Sequence, residues 1–121
     1  MGVAKCDACI MVVDDDEDLR QTLSEFLAAW GYRVCAARNG LDALQQLDTA
    51  KPAVVLLDLM MPVVNGWQFV HEVQARHLDL NIIVMTAAHP DDVPAAYPVL
   101  HKPMGLDAVK SAIEDSCPGR A

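Results

Sequence analysis

The feature that most constrains the fold of this chain is a run of four apolar residues, Val54–Leu57, that ends directly in the carboxylate of Asp58. A continuous apolar run this short is typical of a strand that is buried on both faces, in the middle of a parallel sheet. Open α/β sheets bind their ligands at the carboxyl ends of such strands. Asp58 is therefore the first candidate functional residue.

Short apolar segments alternate with helical patterns along the whole chain. The predicted strands are Cys9–Val13, Arg33–Ala37, the run that ends at Asp58, Asn81–Thr86 and Val99–His101. Apolar stripes predict helices that end at Gly31, at Lys51 and near His77, and a last helix over Met104–Asp115, with Trp30 and Trp67 in the core. This alternation predicts a flavodoxin-like (βα)5 fold, a doubly wound five-stranded parallel sheet with the strand order 2-1-3-4-5.

Five polar side chains stand at the predicted strand ends. They are Asp14, Asp15, Asp58, Thr86 and Lys102. Right-handed crossovers bring the ends of strands 1, 3 and 4 together at one rim, so we expect these side chains to converge. Carboxylates that converge repel one another unless a cation compensates them, and Mg²⁺ prefers such oxygen ligands. An aspartate, a metal ion, a lysine and a hydroxyl are the groups needed to move a phosphoryl group onto a carboxylate.

Each of these features also has an ordinary structural explanation. The acidic run Asp14–Asp18 is typical of a helix cap followed by a solvated first turn. Thr86 alone is a β-branched residue in a strand, and Lys102-Pro103 alone marks a strand end. The combination of all of them at strand ends, in this order, favours the functional interpretation.

Four motifs along the chain resemble the receiver (CheY-like) domains of two-component response regulators. They are VVDDDEDLR at residues 12–20, the D-x-x-x-P-x-x-x-G of Asp58, Pro62 and Gly66, MTA at residues 85–87, and Lys102-Pro103. The resemblance extends from about Cys9 to Ser116. It implies a receiver domain over residues 9–116, with an N-terminal extension of residues 1–8 and a C-terminal tail of residues 117–121.

The resemblance also implies a phosphoacceptor and a metal site. Asp58 is expected to take a phosphoryl group from the phosphohistidine of a sensor histidine kinase or a phosphotransfer protein. Asp15 is expected to bind Mg²⁺ (or Mn²⁺) directly, and Asp14 mainly through water. Asp58 and the backbone carbonyl of Met60 are the other expected metal ligands.

Two further residues have implied roles in switching. Thr86 is expected to donate a hydrogen bond to the phosphoryl oxygen when the domain changes conformation, and Lys102 to pair with that oxygen. The peptide bond between Lys102 and Pro103 is expected to be cis. The domain would phosphorylate and dephosphorylate its own aspartate, and it would not turn over a separate substrate.

The segment between Thr86 and Lys102 departs from the receiver pattern. It contains three prolines, Pro90, Pro94 and Pro98. Because proline is tolerated only in the first turn of a helix, the fourth of the five expected helices is predicted to be shortened or absent. Val99 stands three residues before Lys102, where the family carries its switch aromatic. We expect intact phosphorylation chemistry with a remodelled readout.

The amino-acid composition limits the kinds of partner that this domain is expected to bind. The formal net charge of −8 argues against nucleic-acid binding by this domain. No apolar run is long enough to cross a bilayer, and the N-terminus lacks the pattern of a signal peptide, so a cytoplasmic location is expected. The sequence identifies neither a downstream effector nor an output domain after residue 121.

The four cysteines, Cys6, Cys9, Cys35 and Cys117, are expected to be free thiols. Cys6 and Cys9 form a C-x-x-C pair. A zinc ion there would need further ligands from Cys35, Cys117 or a histidine. A flexible N-terminal tail, with Cys9 at the start of the first strand, is the favoured interpretation.

The sequence leaves three alternative functions. The first is a degenerate receiver that binds proteins independently of phosphorylation, which the interrupted segment before Lys102 favours. The second is a flavin protein, which is disfavoured because acids would occupy its phosphate loop after strand 1. The third is a phosphatase with an aspartyl nucleophile, which typically requires D-x-D where this chain has Met60 at the second position.

Overall fold

The computed structural model describes residues 9–59, 66–78, 80–87 and 97–116. The strands are β1 (Cys9–Val13), β2 (Arg33–Ala37), β3 (Val54–Asp58), β4 (Asn81–Thr86) and β5 (Val99–His101). The helices are α1 (Glu17–Ala29), α2 (Gly40–Ala50), α3 (Gly66–Ala75) and α4 (Leu106–Ser116). All strand pairs are parallel, in the order β2-β1-β3-β4-β5, which confirms the predicted fold. None of these helices is long and apolar enough to cross a membrane.

The central strands are apolar throughout because helices cover both faces of the sheet. Successive side chains of a strand point to opposite faces. Met11 packs in one cluster with Phe69 of α3. Ile10 packs in a second cluster with Leu23 of α1 and Ile113 of α4. Every residue of β3 is buried, as the continuous apolar run predicts.

The ends of α1 and α2 lie close to where the sequence pattern predicts them. The Asp16 side chain caps α1 by accepting hydrogen bonds from the backbone N–H groups of Asp18 and Leu19, at 3.0 and 3.3 Å. Gly31, with a φ of 97°, follows the end of α1. Lys51 ends α2 in the left-handed region, with a φ of 47°.

The prediction that Trp67 belongs to the core is wrong, because its side chain is 43% exposed. The buried stripe of α3 consists of Phe69, Val70 and Val73, and Trp67 lies roughly a third of a turn away from its centre. Trp30 is half-buried and contacts Phe26 with a ring-centroid distance of 6.0 Å. Phe26 and Leu41 are also exposed apolar side chains, at 40% and 43%.

The connection between β4 and β5 is described only at its ends. Neither Ala87 nor Tyr97-Pro98 is helical, which is consistent with a shortened or absent fourth helix. Residues 88–96, with Pro90 and Pro94, lie outside the described residues.

Candidate functional site

Three buried polar residues meet where the central strands end. Asp14 directly follows β1, whereas Asp58 and Thr86 are the last residues of β3 and β4. All three are almost inaccessible to solvent: Asp58 is 4% exposed, and the other two are fully buried. Burial of polar side chains is costly, and it usually requires specific partners. Open α/β sheets bind their ligands at the carboxyl ends of their strands, so this rim is the candidate site.

The three aspartates of the predicted acid cluster come together. One carboxylate oxygen from each of Asp14, Asp15 and Asp58 lies within 4.8 Å of the others. Asp15 is exposed, whereas Asp14 and Asp58 line the buried floor. A set of hard oxygen donors, open to solvent on one side, suits Mg²⁺, which binds through one or two carboxylates and keeps several waters.

Lys102 supplies the positive charge at the floor of the site. Its Nζ lies 2.8 Å from Oδ2 of Asp14 and 3.5 Å from Oδ2 of Asp58. Its backbone N–H donates to the carbonyl of Thr86 at 2.8 Å, which aligns the residue after β5 with the end of β4. Burial alone would lower the pKa of Lys102, but the hydrogen bond and charge of Asp14, together with the charge of Asp58, outweigh it and raise the pKa.

Several hydrogen bonds fix the position of Asp14. Its Oδ1 accepts a hydrogen bond from the backbone N–H of Asp16 at 2.9 Å, and its own N–H donates to the carbonyl of Ala37 at 3.2 Å. Nη1 of Arg20 donates to the Asp14 carbonyl at 2.8 Å. Sequence reasoning assigned no role to Arg20, although the residue ends the VVDDDEDLR motif. Its position one turn into α1 was the available signal.

The remaining predicted site residues are placed as follows. Thr86 lies at the rim beside Lys102, and the Lys102–Pro103 peptide bond is cis, as expected. Met60, the expected backbone ligand, and Pro62 of the same motif lie outside the described part of the chain. Their predicted contributions stay predictions.

Tyr97 lies two residues before Val99, the position at which the family carries its switch aromatic. It contacts α3 and the core. Nε2 of Gln74, on α3, donates to the Tyr97 hydroxyl oxygen at 2.7 Å. The Tyr97 ring packs against the core cluster that contains Phe69, as does Val99. Tyr97 therefore connects the entrance of β5 to α3.

A pocket of about 380 Å³ opens beside Lys102. It is lined by Asp16, Leu19, Ala87, Lys102, Pro103 and Met104. Its lining is mainly apolar, and Asp16 and Lys102 are its two charged members.

The fold and the site define the class of protein. Residues 10–114 match the family described as the response regulator receiver domain, so the chain belongs to that family. It is also 32% identical over 111 residues to the DNA-binding transcriptional regulator NtrC of Escherichia coli. That match covers 87% of this chain and 24% of NtrC. The chain spans about a third or less of the length of curated relatives such as this one.

Two solved structures show the same architecture. The chemotaxis protein CheY4 of Vibrio cholerae superimposes with a TM-score of 0.83 at 27% identity, covering 92% of this chain and 99% of CheY4. The response regulator TrrA of Thermotoga maritima, in complex with Mg²⁺-BeF, gives a TM-score of 0.80 at 28% identity. That match covers 90% of this chain and 98% of TrrA.

Proposed function

We propose that this receiver domain accepts a phosphoryl group on Asp58. The observation that carries the proposal is the arrangement around this carboxylate. The oxygens of Asp14, Asp15 and Asp58 lie within 4.8 Å of one another, and Lys102 Nζ stands 3.5 Å from Asp58. A buried acceptor, a cation and an open acidic cluster together provide positioning and charge stabilisation, on which phosphoryl transfer mainly depends.

The donor set fits Mg²⁺ (or Mn²⁺). Asp15 and Asp58 would hold the ion directly, with the backbone carbonyl of Met60, while Asp14 would act through water. The fixed orientation of Asp14, with Oδ1 on the Asp16 amide and Oδ2 on Lys102, suits this indirect role. When bound, the ion neutralises negative charge on the phosphoryl oxygens.

The transfer itself is a displacement at phosphorus. A carboxylate oxygen of Asp58 forms the new P–O bond as the P–N bond of a phosphohistidine breaks, and the imidazole leaves with the electron pair. Lys102 then exchanges its contact with Asp14 for a phosphoryl oxygen, and the Thr86 hydroxyl donates to the same group. The pocket lies beside Lys102, whose Nζ is 3.5 Å from Asp58, and it would suit an approach of the donor imidazole from that side.

The partner that supplies the group is, in this proposal, a sensor histidine kinase or a phosphotransfer protein. The domain, residues 9–116, does not turn over a separate substrate. Its excess of acidic residues disfavours contact with a nucleic-acid backbone, so any DNA binding would belong to another part of a longer protein.

Incubation with acetyl phosphate and Mg²⁺ tests the proposal. We expect a slower band on a Phos-tag gel for the wild-type chain and none for Asp58→Asn. Asp15→Asn, which removes a proposed metal ligand and leaves the acceptor in place, is expected to slow modification strongly. A band that persists in Asp58→Asn would place the phosphoryl group elsewhere.

A phosphorylation-independent binding module is the second candidate. The absence of an aromatic residue at position 99, and the contact of Tyr97 with Gln74, favour it because they alter the region that usually reports the phosphorylated state. Failure of the folded wild-type chain to be modified, with Mg²⁺ in excess, would favour this function.

A further inference from the structure

Arg20 lies one turn into α1, and its side chain reaches back to the residues of the acidic cluster. Its backbone N–H donates to the Asp16 carbonyl at 2.9 Å, so the residue belongs to the regular part of the helix. Side chains of a helix tilt toward its amino end. This direction carries the half-buried Arg20 side chain to the end of β1, where its Nη1 donates to the Asp14 carbonyl at 2.8 Å.

Helix stability and charge balance do not account for this arginine. The macrodipole favours acids near the amino end of a helix and disfavours cations there. Glu17 and Asp18, in the first turn of α1, follow that rule, and Arg20 does not. In the described part of the chain, Arg20 forms no ion pair with an acid. Its charge is instead directed at a main-chain carbonyl, which it binds through a charge-assisted hydrogen bond.

The bonded carbonyl belongs to the peptide unit that joins Asp14 to Asp15. Because a peptide unit is planar, a hydrogen bond to its carbonyl also fixes the direction of the Asp15 N–H. On the other side of Asp15, the N–H of Asp16 donates to Oδ1 of Asp14 at 2.9 Å. Both peptide units that flank Asp15 are therefore held, the first by Arg20 and the second by the Asp14 side chain.

The Asp15 carboxylate depends on this backbone for its direction. Asp15 is exposed, and no hydrogen bond or ion pair joins its side chain to another described residue. One of its carboxylate oxygens nevertheless lies within 4.8 Å of oxygens of Asp14 and Asp58. A short side chain has few rotamers, so the backbone of Asp15 largely determines where these oxygens lie.

We propose that Arg20 is a positioning residue for the metal site. Its hydrogen bond to the Asp14 carbonyl holds the Asp15 carboxylate in the direction from which it binds Mg²⁺. Asp15 is here a direct ligand of the ion, as in the proposed function on which this role of Arg20 rests. Groups that orient metal ligands typically contribute about 10- to 100-fold to metal affinity. Because Arg20 acts through an intervening peptide unit, we expect the lower end of that range, about tenfold.

Calorimetric titration of the full chain with Mg²⁺, without a phosphodonor, tests this role. Electrostatics alone predict tighter binding in Arg20→Met, because the variant loses a cation beside an acidic cluster. Positioning predicts the opposite sign, a Kd for Mg²⁺ about tenfold higher than that of the wild type. Arg20→Lys, which keeps the charge and a donor but not the planar guanidinium, is expected to have an intermediate Kd. Arg76→Met, which removes the same charge from an exposed position just after α3, should keep Kd within about twofold.

A double-mutant cycle shows whether Arg20 acts through Asp15. In the Asp15→Asn background, Arg20→Met is expected to change Kd by about twofold or less, because the carboxylate that Arg20 positions is no longer present. The carbonyl ¹³C resonance of Asp14 is expected to shift in Arg20→Met, which reports the loss of the hydrogen bond in the folded chain.

Three outcomes would overturn this role of Arg20. They are an unchanged or lower Kd in folded Arg20→Met, an equal rise in Arg76→Met, and a rise of about tenfold that persists in the Asp15→Asn background. If Arg20→Met does not fold, Arg20→Lys replaces it, with a Kd expected about threefold above that of the wild type, and an unchanged Kd would then overturn the role.

The Phos-tag assay separates this result from the proposed function. If the wild type is modified and Kd is unchanged in Arg20→Met, only the positioning role of Arg20 is wrong. If Mg²⁺ binding depends on Arg20 and the wild type is never modified, only the phosphorylation of Asp58 is wrong.

Discussion

Lys102 is the residue on which the charge balance of the acidic cluster depends. Asp14 is fully buried and Asp58 nearly so, and each has a carboxylate oxygen within 3.5 Å of the Lys102 ammonium group. Without this cation, the mutual repulsion of the three clustered carboxylates would be less compensated. The lysine therefore compensates the same negative charge that a bound Mg²⁺ ion would compensate.

Replacement of Lys102 by methionine is expected to lower the free energy of unfolding in the absence of metal by about 1–3 kcal/mol, because a buried carboxylate loses its partner. Added Mg²⁺ is expected to raise the melting temperature of this variant more than that of the wild type. Calorimetry with and without Mg²⁺ measures both effects. Lys110→Met, which removes the same charge from an exposed position over Trp30, is the control.

The contribution of Lys102 also has a defined pH dependence. Its pKa is raised in the folded protein, so its stabilising effect is fully present below its ordinary pKa and is lost as the pH rises through the folded value. The difference in unfolding free energy between wild type and Lys102→Met should be constant from pH 7 to 9 and decrease only above about pH 10.5. A difference that already decreases near neutrality would assign the effect to another group.

Single residues were predictable from sequence where a strand end fixed their position. Asp14, Asp58 and Thr86 follow apolar runs whose direction and burial leave little freedom. The hydrogen bond from Arg20 to the Asp14 carbonyl was not predictable, because it depends on the angle between α1 and β1. The exposure of Trp67 was missed because a three-residue spacing fits more than one face of a short helix.

At the scale of the helices, side-chain caps explain where α1 begins. Asp16→Ala removes the acceptor for the N–H groups of Asp18 and Leu19, and it is expected to lower the free energy of unfolding by about 0.5–2 kcal/mol. Asp16→Asn, which keeps a capping oxygen, should lower it much less. Urea denaturation measures the difference, and equal losses in both variants would show that the charge matters and the cap does not.

The end of α2 offers a stabilising change. Lys51 adopts a φ of 47°, a region that glycine occupies without the steric penalty of a Cβ atom. Lys51→Gly is expected to raise the free energy of unfolding by about 0.5–1 kcal/mol, whereas Lys51→Ala, which keeps the Cβ atom, gives no gain. Thermal unfolding of the two variants distinguishes relief of backbone strain from loss of the lysine side chain.

At the scale of the whole molecule, the strand order follows from the alternation of apolar runs and helical stripes, which leaves few topologies once crossovers are right-handed. The contacts at the ends of the segment between β4 and β5 could not be predicted from the family resemblance. The prolines of this segment and the valine at position 99 replace the usual pattern. The hydrogen bond between Gln74 and Tyr97 joins two elements that are distant in sequence. No local pattern could have indicated it.

Beryllofluoride titration followed by backbone NMR tests the consequence of the hydrogen bond between Gln74 and Tyr97. With Tyr97 bonded to Gln74, we expect chemical-shift changes near Asp58, Thr86 and Lys102 that do not spread through residues 87–100. Tyr97→Phe, which removes only the hydroxyl, should let the changes extend further. Changes throughout residues 87–100 of the wild type would contradict a remodelled readout.

The two tryptophans differ in environment, which makes them natural fluorescence reporters. Trp67 is 43% exposed in the first turn of α3, the helix that follows β3 and Asp58 along the chain. Trp30 is half-buried at the end of α1, with the ammonium group of Lys110 5.6 Å from its ring centroid. Emission from Trp67 should therefore respond to events near Asp58, while emission from Trp30 follows unfolding. Paired Trp→Phe variants would separate the two signals without an added dye.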